Sequence, residues 1–383
     1  MSSSPLRAAE ISLPAIRHNI AALRRVTGSG VIVVVKANAY GHGAAIVAPV
    51  VIDAGAEMVA VASLDEAIAL RETGFTAPLL CWLHGERIDY RAAIHHGIDL
   101  GLSRAEQVRE LATTAASATP AAAAGSRGRA RVQLKLDTGL SRNDAAPDTW
   151  HGLFETAAAA ERSGAIHVSG VFSHLANAGP AADRAQAARF DAAIRCLHAL
   201  GVRPSLRHLA ASAATLTSPH LRYDAVRVGL AAYGLSPVED RSAHGLGLRP
   251  AMTLASQIVA LRRVPAGTGV SYDHTHVCAH DTVLALVPIG YADGMPRALN
   301  GTGATVSICG ERAPIVGRIG MDQCIIDVTP IADRVRIGER VVLFGDPDCG
   351  HPAVEEWAER LHTINYEIIA GIGHRVHRVP VSW

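Results

Sequence analysis

Eight short apolar runs, most of them rich in β-branched residues, alternate with segments of helical hydrophobic spacing over roughly the first 235 residues. Two runs are followed by capping-box patterns, Ser63-x-x-Glu66 and Ser103-x-x-Glu106, which mark helix starts. Strands and helices alternating in this way predict a (β/α)8 TIM-like barrel, with a doubly wound open sheet as the alternative. The predicted strands are residues 31–36, 58–62, 78–83, 97–102, 131–137, 168–174, 205–210 and 225–230.

After residue 240 the pattern changes to short apolar stretches separated by Gly, Pro and Asp turns, which predicts a mostly β domain. We therefore expect a barrel domain over residues 1–240 and a mostly β domain over 241–383. The predicted strands of the second domain lie within 252–264, 282–294, 304–328 and 339–345, and one helical segment covers 353–372. The small-residue stretch 118–130 is predicted to be a flexible surface segment.

Composition narrows the function without identifying it. A net charge of +1 gives no electrostatic footprint for nucleic acid or an anionic membrane surface. The opening MSSSPLRAAE lacks the features of a signal peptide, the apolar runs are too short to span a bilayer, and the cysteines form no C-x-x-C pair. These observations predict a soluble cytoplasmic protein with no nucleic-acid or membrane partner.

Four alternating residues in the second domain, His274, His276, Cys278 and His280, have a spacing that resembles a metal site. On a strand they would share one face, but ligands two residues apart close a tetrahedral site poorly and no second cluster accompanies them. We predict an exposed strand face and no metal.

Polar residues cluster at the predicted carboxyl ends of the barrel strands, where functional groups of such barrels lie. Any one of them could simply anchor a loop, but their joint placement on one face indicates a site. Of the 36 basic residues only Lys36 and Lys135 are lysines, and a lysine amine can act as a nucleophile where arginine cannot. The cluster consists of Lys36, Lys135, Asp137, Arg142, His174, His208 and Arg227.

Taken together, a series of motifs along the chain resembles the alanine racemases, two-domain enzymes that use pyridoxal phosphate. The motifs are KANAYGHG, KLDTGLSR, RHLAASAA, VRVGLAAYGL, GVSYD, PIGYADGMPR, VGRIGMDQ and TINYE, in that order over nearly the whole chain. The resemblance implies pyridoxal-phosphate-dependent interconversion of L-alanine and D-alanine. It also implies a homodimer whose β domain completes the active site of the partner.

The resemblance assigns Lys36 as the residue that binds pyridoxal phosphate covalently and later serves as a base. Tyr272 would be the base on the opposite face, supplied by the partner subunit together with Met321, whose backbone contacts the substrate carboxylate. Tyr291 and Asp322 would support this region. Inverting a stereocentre by deprotonation needs an acid or base on each face, which these assignments provide.

The same resemblance implies the cofactor contacts. Arg227, itself contacted by His208, would face the pyridine nitrogen, and His174 would lie beside the ring. A cation at that nitrogen makes the ring a weaker electron sink than a carboxylate would, which favours proton return over transamination. The phosphate would be held by Tyr40, Ser212, the backbone of Gly229 and Leu230, and Tyr366; barrels commonly bind phosphate on backbone N–H groups after late strands.

For Lys135 the resemblance implies an amine carbamylated by carbon dioxide that positions Arg142, the residue facing the substrate carboxylate. A plain salt bridge from Lys135 to a carboxylate is the alternative, and the sequence leaves both open.

Four positions depart from the family pattern, and all four lie near the expected substrate entrance or cofactor: Gly179, Ala211, Asp273 and Gly320. Because of these departures, a racemase of the same fold that acts on another amino acid such as serine, or on a broader range of amino acids, is an alternative. A non-catalytic pyridoxal-phosphate-binding protein is a further alternative. A decarboxylase of basic amino acids is disfavoured because Arg227 stands where such an enzyme places an acid.

Overall fold

A computed structural model describes residues 5–117 and 129–383. In chain order its strands are β1 (Arg7–Ser12), β2 (Gly30–Val34), β3 (Met58–Val61), β4 (Leu79–Cys81), β5 (Asp99–Leu102), β6 (Ala130–Lys135), β7 (Ile166–Phe172), β8 (Leu206–His208), β9 (Ala225–Val228), β10 (Met252–Gln257), β11 (Ala260–Val264), β12 (Gly269–Val270), β13 (His276–Val277), β14 (Thr282–Val287), β15 (Thr305–Ile308), β16 (Glu311–Val316), β17 (Cys324–Asp327), β18 (Arg340–Phe344) and β19 (His377–Val381).

The helices follow the strands of the first domain closely and are sparse in the second. They are α1 (Leu13–Thr27), α2 (Lys36–Tyr40), α3 (Ala44–Asp53), α4 (Leu64–Glu72), α5 (Tyr90–His95), α6 (Ala105–Ser117), α7 (Trp150–Arg162), α8 (Pro180–Ala199), α9 (Ser212–Thr217), α10 (Val354–Arg360) and α11 (Asn365–Ala370). No helix in the described ranges is long and apolar enough to cross a bilayer.

Within the described residues, β2 to β9 close into an eight-stranded parallel barrel, with β9 pairing back onto β2. Each of the eight predicted runs overlaps one of these strands, so the barrel prediction is confirmed and the open sheet is excluded. The strands of such a barrel face side chains on one side and helices on the other, and both faces are buried. This burial is why the strands are nearly continuous apolar runs in the sequence.

One of the two predicted capping boxes is present. The Ser63 hydroxyl accepts from the Glu66 backbone, and Glu66 accepts from the Ser63 backbone. The prediction at Ser103 is wrong because α6 begins one residue later than expected, so Gln107 accepts from the backbone N–H of Ser103. The side chain of Glu106 instead pairs with an arginine on the same helix. The predicted flexible stretch 118–130 lies outside the described residues apart from its last two positions.

In the second domain, the described strands form a nine-stranded sheet in the order β11-β14-β17-β16-β15-β18-β10-β1-β19, beside the small β12-β13 pair. The prediction of a mostly β domain is confirmed. The sequence analysis did not identify β1 or β19 as strands, and it assigned the residues of β1 to the barrel. β1 in fact lies between β10, which is antiparallel to it, and β19, which is parallel. The proposed boundary near residue 240 stays a prediction.

Two local predictions in the second domain also need correction. The segment predicted as one helix is divided into α10 and α11, because His362 has a positive φ of 52° and the chain turns there. The alternating histidine segment is not a continuous exposed strand: only His276 and Val277 are extended, and Cys278 is buried. Among the described residues, no group of three or more His, Cys, Asp or Glu side chains is placed to hold a metal ion.

Candidate active site

A cavity of about 460 Å³ lies at the carboxyl end of the barrel strands. It is lined by most of the residues that the sequence assigned to a cofactor site: Lys36, Tyr40, Lys135, Arg142, His174, Ser212, Arg227, Gly229, Leu230 and Tyr366. These residues come from five barrel units and from α11 of the second domain. The strand-end cluster therefore converges in space, as the barrel geometry predicts.

Lys36 is held at the start of an unusual turn. The residues Ala37–Tyr40 all have left-handed backbone conformations, with φ between 52° and 57°. A non-glycine residue in this region costs about 1–3 kcal/mol, so four in succession need support from their surroundings. The Glu66 carboxylate accepts a 2.7 Å bond from the N–H of Ala37, and the side chain of Asn38 accepts a 2.8 Å bond from the N–H of Ala44.

The electrostatic surroundings of Lys36 favour its neutral amine. Burial lowers the pKa of Lys36, and the nearby guanidinium groups of Arg142 and Arg227 lower it further. The Glu66 carboxylate acts in the opposite direction. The net lowering gives Lys36 the nucleophilic character that the sequence analysis expected of it.

Arg227 lies at the base of the cavity and is 5% exposed. Its Nη1 atom is 2.9 Å from Nδ1 of His208, and its Nη2 atom is 2.8 Å from Nδ1 of His174. Nη2 also donates to the carbonyl of Ser173. Burial lowers the pKa of Arg227 to about 10, which leaves it protonated at neutral pH.

Both histidines are neutral acceptors. Burial and then the charge of Arg227 lower the pKa of His174 to about 3, and the same two causes hold the pKa of His208 well below its usual range. The other ring nitrogen of His208, Nε2, donates to Oε1 of Gln133 over 2.8 Å, since the amide nitrogen of Gln133 is directed to Asp99. This network fixes the proton of His208 on Nε2 and leaves Nδ1 free to accept from Arg227.

A group of polar residues that could bind an anion lines the same cavity. The hydroxyl of Ser212 accepts from the backbone N–H groups of Gly229 (3.1 Å) and Ala231 (3.4 Å), at the start of a short 3-10 turn. A Cβ atom added at Gly229 would collide with the hydroxyl of Tyr40. Burial raises the pKa values of Tyr40 and Tyr366, so both phenols stay protonated and can donate. A phosphate group fits these donors.

Lys135 has an acidic partner. Its Nζ atom lies 2.7 Å from Oδ1 of Asp144 and 2.7 Å from Oδ1 of Asn143. Both ends of the pair with Asp144 are buried. This arrangement is the salt bridge that the sequence analysis had left as the alternative to a modified lysine.

His208 bonds to Arg227 without lining the cavity, and four other predicted site residues lie elsewhere in the described chain: Tyr272, Tyr291, Met321 and Asp322. They form one surface region, in which the backbone of Tyr291 bonds to Gly320 and that of the next residue bonds to Met321. Tyr272 is 70% exposed, Met321 54% and Tyr291 42%, although large apolar side chains are mostly buried in this chain. An exposed apolar region of this kind indicates an interaction surface.

Several residues that shape the site were not identified from the sequence: Glu66, Asp99, Gln133, Asn143 and Asp144. A polar residue inside an apolar strand was an available signal for Gln133 and Asp99, since both interrupt predicted strands. Glu66 was identified only as a helix cap, because its bond to the Lys36 turn joins segments that are distant in sequence. The pairing of Asp144 with Lys135 has no sequence signal that we can name.

Comparisons with known proteins agree with the geometry. The family model of the alanine racemase N-terminal domain matches residues 11–237, and that of the C-terminal domain matches residues 251–380. An alanine racemase of Salinispora arenicola is 43% identical over 378 residues, covering 97% of each chain.

Solved structures are similarly close. Alanine racemase from the D-cycloserine-producing Streptomyces lavendulae has a TM-score of 0.92 at 41% identity, covering 100% of this chain and 98% of that one. Alanine racemase from Streptomyces coelicolor has a TM-score of 0.90 at 40% identity, covering 98% of both. The chain therefore belongs to the alanine racemase family.

Proposed function

We propose that this chain interconverts L-alanine and D-alanine with pyridoxal phosphate bound at Lys36, and that each active site is completed by a second copy of the chain. Membership of the alanine racemase family makes the chain an amino-acid isomerase. The relatives carry the name alanine racemase, which favours alanine over another amino acid as the substrate.

The observation that carries the proposal is the cation at the base of the cavity. Arg227 is buried, protonated at neutral pH and bonded to two neutral histidines. Pyridoxal phosphate would supply an electron-withdrawing ring that stabilises negative charge at the substrate Cα. A permanent cation opposite the ring nitrogen disfavours protonation of that nitrogen, which limits electron withdrawal and suits racemisation better than decarboxylation or transamination.

The residues of the cavity fit the other parts of the cofactor and substrate. The backbone N–H of Leu230 and the hydroxyls of Tyr40, Ser212 and Tyr366 would hold the phosphate, next to the N–H of Gly229 that donates to Ser212. Arg142 would bind the substrate carboxylate through its forked guanidinium. His174 would pack beside the ring.

Two groups would move the proton. The Lys36 amine, whose pKa is lowered, would accept and return the Cα proton on one face of the substrate. Tyr272 of a second copy would do the same on the other face. The exposure of Tyr272 and Met321 away from the cavity of their own chain supports a site shared between two subunits.

The direct test is racemisation of a panel of amino acids by the purified chain with added pyridoxal phosphate, followed by chiral chromatography. Alanine should give the highest kcat/KM, and both enantiomers should reach the same equilibrium mixture. A higher kcat/KM for serine or a basic amino acid would contradict the substrate assignment. Protein that binds the cofactor but racemises nothing would contradict the activity itself.

A further inference from the structure

We propose that Asp144 is a positioning residue. Its carboxylate pairs with Lys135 and supplies the negative charge that a carbamate on Lys135 would otherwise supply, so that this site assembles without carbon dioxide. The inference rests on the proposed function only for what the site does with substrate. The pairing itself is a property of the chain's own residues.

The ion pair is enclosed. The side chain of Lys135 is 5% exposed and that of Asp144 is 1% exposed. The 2.7 Å contact of Nζ with Oδ1 of Asp144 and the 2.7 Å bond to Asn143 account for two of the three hydrogens of the ammonium group. Neither oxygen of Asp144 accepts a well-aligned hydrogen bond from another described residue, so Lys135 supplies its nearest compensating charge.

The surrounding charges explain why a carboxylate is needed at this position. Lys36, Lys135, Arg142 and Arg227 all line the same cavity, and each nearby cation disfavours the charge on the next. Asp144 acts against this repulsion, since its charge raises the pKa of both Lys135 and Arg227 against the larger lowering by burial. A fixed anion inside a ring of cations stabilises all of them.

Carbamylation of Lys135 would bring two anions together. In that reaction the neutral amine adds to carbon dioxide, an N–C bond forms, and one proton is released. The product would place a negative carbamate on Nζ, which lies 2.7 Å from the buried carboxylate of Asp144. Two like charges held close together in a buried site oppose each other strongly, and the ammonium that now compensates Asp144 would be lost.

The Lys135–Asp144 ion pair also contributes to the conformation of the loop that contains Arg142. Backbone bonds join Ala145 to Lys135 (3.0 Å) and to Asp137 (2.8 Å), which sets the loop's two ends side by side. Inside it, the carboxylate of Asp137 accepts three successive backbone N–H groups, those of residues 139 to 141. Arg142 lies two residues before Asp144, so the Lys135–Asp144 contact fixes the part of the loop that Asp137 does not reach.

The first test needs no variant. Wild-type protein in buffer containing ¹³C-labelled bicarbonate should show no protein-bound carbamate signal by ¹³C NMR. Its KM for alanine should be the same in carbon-dioxide-free buffer as with added bicarbonate. A carbamate signal that disappears in Lys135→Arg would overturn the proposal.

The second test compares Asp144→Asn with Asp148→Asn, which removes an exposed carboxylate from the same segment. Asp144→Asn should raise the KM for alanine at least tenfold, and bicarbonate should recover part of the loss, because a carbamate on Lys135 can then supply the missing anion. Asp148→Asn should show neither effect. Equal KM values for the two variants would overturn the positioning role.

A third comparison remains informative if Asp144→Asn does not fold. Lys135→Arg keeps a cation for Asp144 and Lys135→Met does not, whereas neither can carry a carbamate. The proposal expects the KM for alanine to rise about tenfold more in Lys135→Met than in Lys135→Arg, and equal losses would overturn it. If the NMR result holds but wild-type protein does not racemise alanine, the proposed function fails and the ion pair stands.

Discussion

His208 accepts a 2.9 Å hydrogen bond at Nδ1 from Nη1 of Arg227, so a fully buried neutral ring faces a buried cation. The arrangement depends on Gln133, which accepts the proton at Nε2 of the same ring. A residue that does not line the cavity therefore determines which nitrogen of His208 faces Arg227.

Gln133→Leu should lower both the free energy of unfolding and kcat/KM for alanine. Removing the acceptor leaves a buried N–H unpaired, which costs about 1–3 kcal/mol, and allows the ring proton to move to Nδ1, where it opposes the donors of Arg227. Urea unfolding and kcat/KM for alanine measure the two effects. Ser169→Ala is the control, because it removes another bond to Asp99 without touching His208, and its effect on kcat/KM should be much smaller. Unchanged kcat/KM in Gln133→Leu would contradict the role of the tautomer.

Lys36→Arg should abolish both activity and the visible absorbance of the lysine-bound cofactor, because a guanidinium cannot form the covalent link. Lys135→Arg is the matched control and should keep the absorbance. Borohydride reduction followed by peptide mapping identifies the attachment site. Since the sequence contains one other lysine, cofactor trapped at Lys135, or racemisation by Lys36→Arg, would refute the assignment.

Acidification should destabilise the fold through buried histidines such as His42, which is 1% exposed. Burial lowers the pKa of His42 to about 4, against 6.5 for the ordinary side chain. Between these values the unfolded chain binds a proton that the folded chain does not, so stability falls as pH falls. The loss attributable to His42 between pH 7 and pH 5 is about 2 kcal/mol.

The measurement is urea unfolding at both pH values in wild type and His42→Gln. The variant should lose less stability on acidification than the wild type, whatever its stability at pH 7. His151→Gln, which changes an exposed histidine on α7, should follow the wild type. A variant of His42 with the same pH dependence as wild type would show that this residue is not responsible.

Tyr272→Phe should keep the cofactor and lose about 10²–10⁴-fold in racemisation rate, because one of two acid–base groups is removed. Exchange of the alanine Cα hydrogen with solvent deuterium should become asymmetric. The enantiomer served by Lys36, D-alanine in the family resemblance, should still exchange, and exchange from L-alanine should nearly stop. Symmetric residual exchange would remove Tyr272 from the mechanism.

Subunit mixing tests whether the site is shared. Lys36→Ala and Tyr272→Phe chains, each inactive alone, should recover activity when mixed, because one of the two sites in a heterodimer has both groups intact. Mixing two preparations of the same variant is the control. Absence of recovery after verified subunit exchange, or full activity of a verified monomer, would show that the site is not shared.

The parts of this molecule that local pattern determines were predictable. Parallel barrel strands are buried on both faces, so their apolar runs located all eight, and the strand-end rule brought Lys36, His174 and Arg227 into one site. The roles of these residues came from the family resemblance, because spacing alone cannot distinguish a cofactor contact from a loop anchor.

What could not be predicted depends on contacts between distant segments. The left-handed turn after Lys36 is supported by Glu66 and other neighbours, and of residues 37–40 only Asn38 is of a type that favours that conformation. Asp144 could not be matched to Lys135 because the loop between them has no regular geometry. β1 was missed because its strand partners, β10 and β19, lie far along the chain.

The position of β1 has a consequence for how the protein folds during synthesis. Arg7 pairs with Ser256 and Ala8 with His377, so β1 is synthesised before any barrel strand and stays unpaired until β10 and β19 have been made. At about 5–20 residues per second the interval until β19 is made lasts on the order of tens of seconds. The barrel, whose strands pair mostly with their neighbours in sequence, can close in that interval. The second sheet becomes complete only when β19 has been made, so the nascent barrel can close before the sheet that contains β1 exists, and its cavity lacks Tyr366 of α11 until synthesis is nearly over.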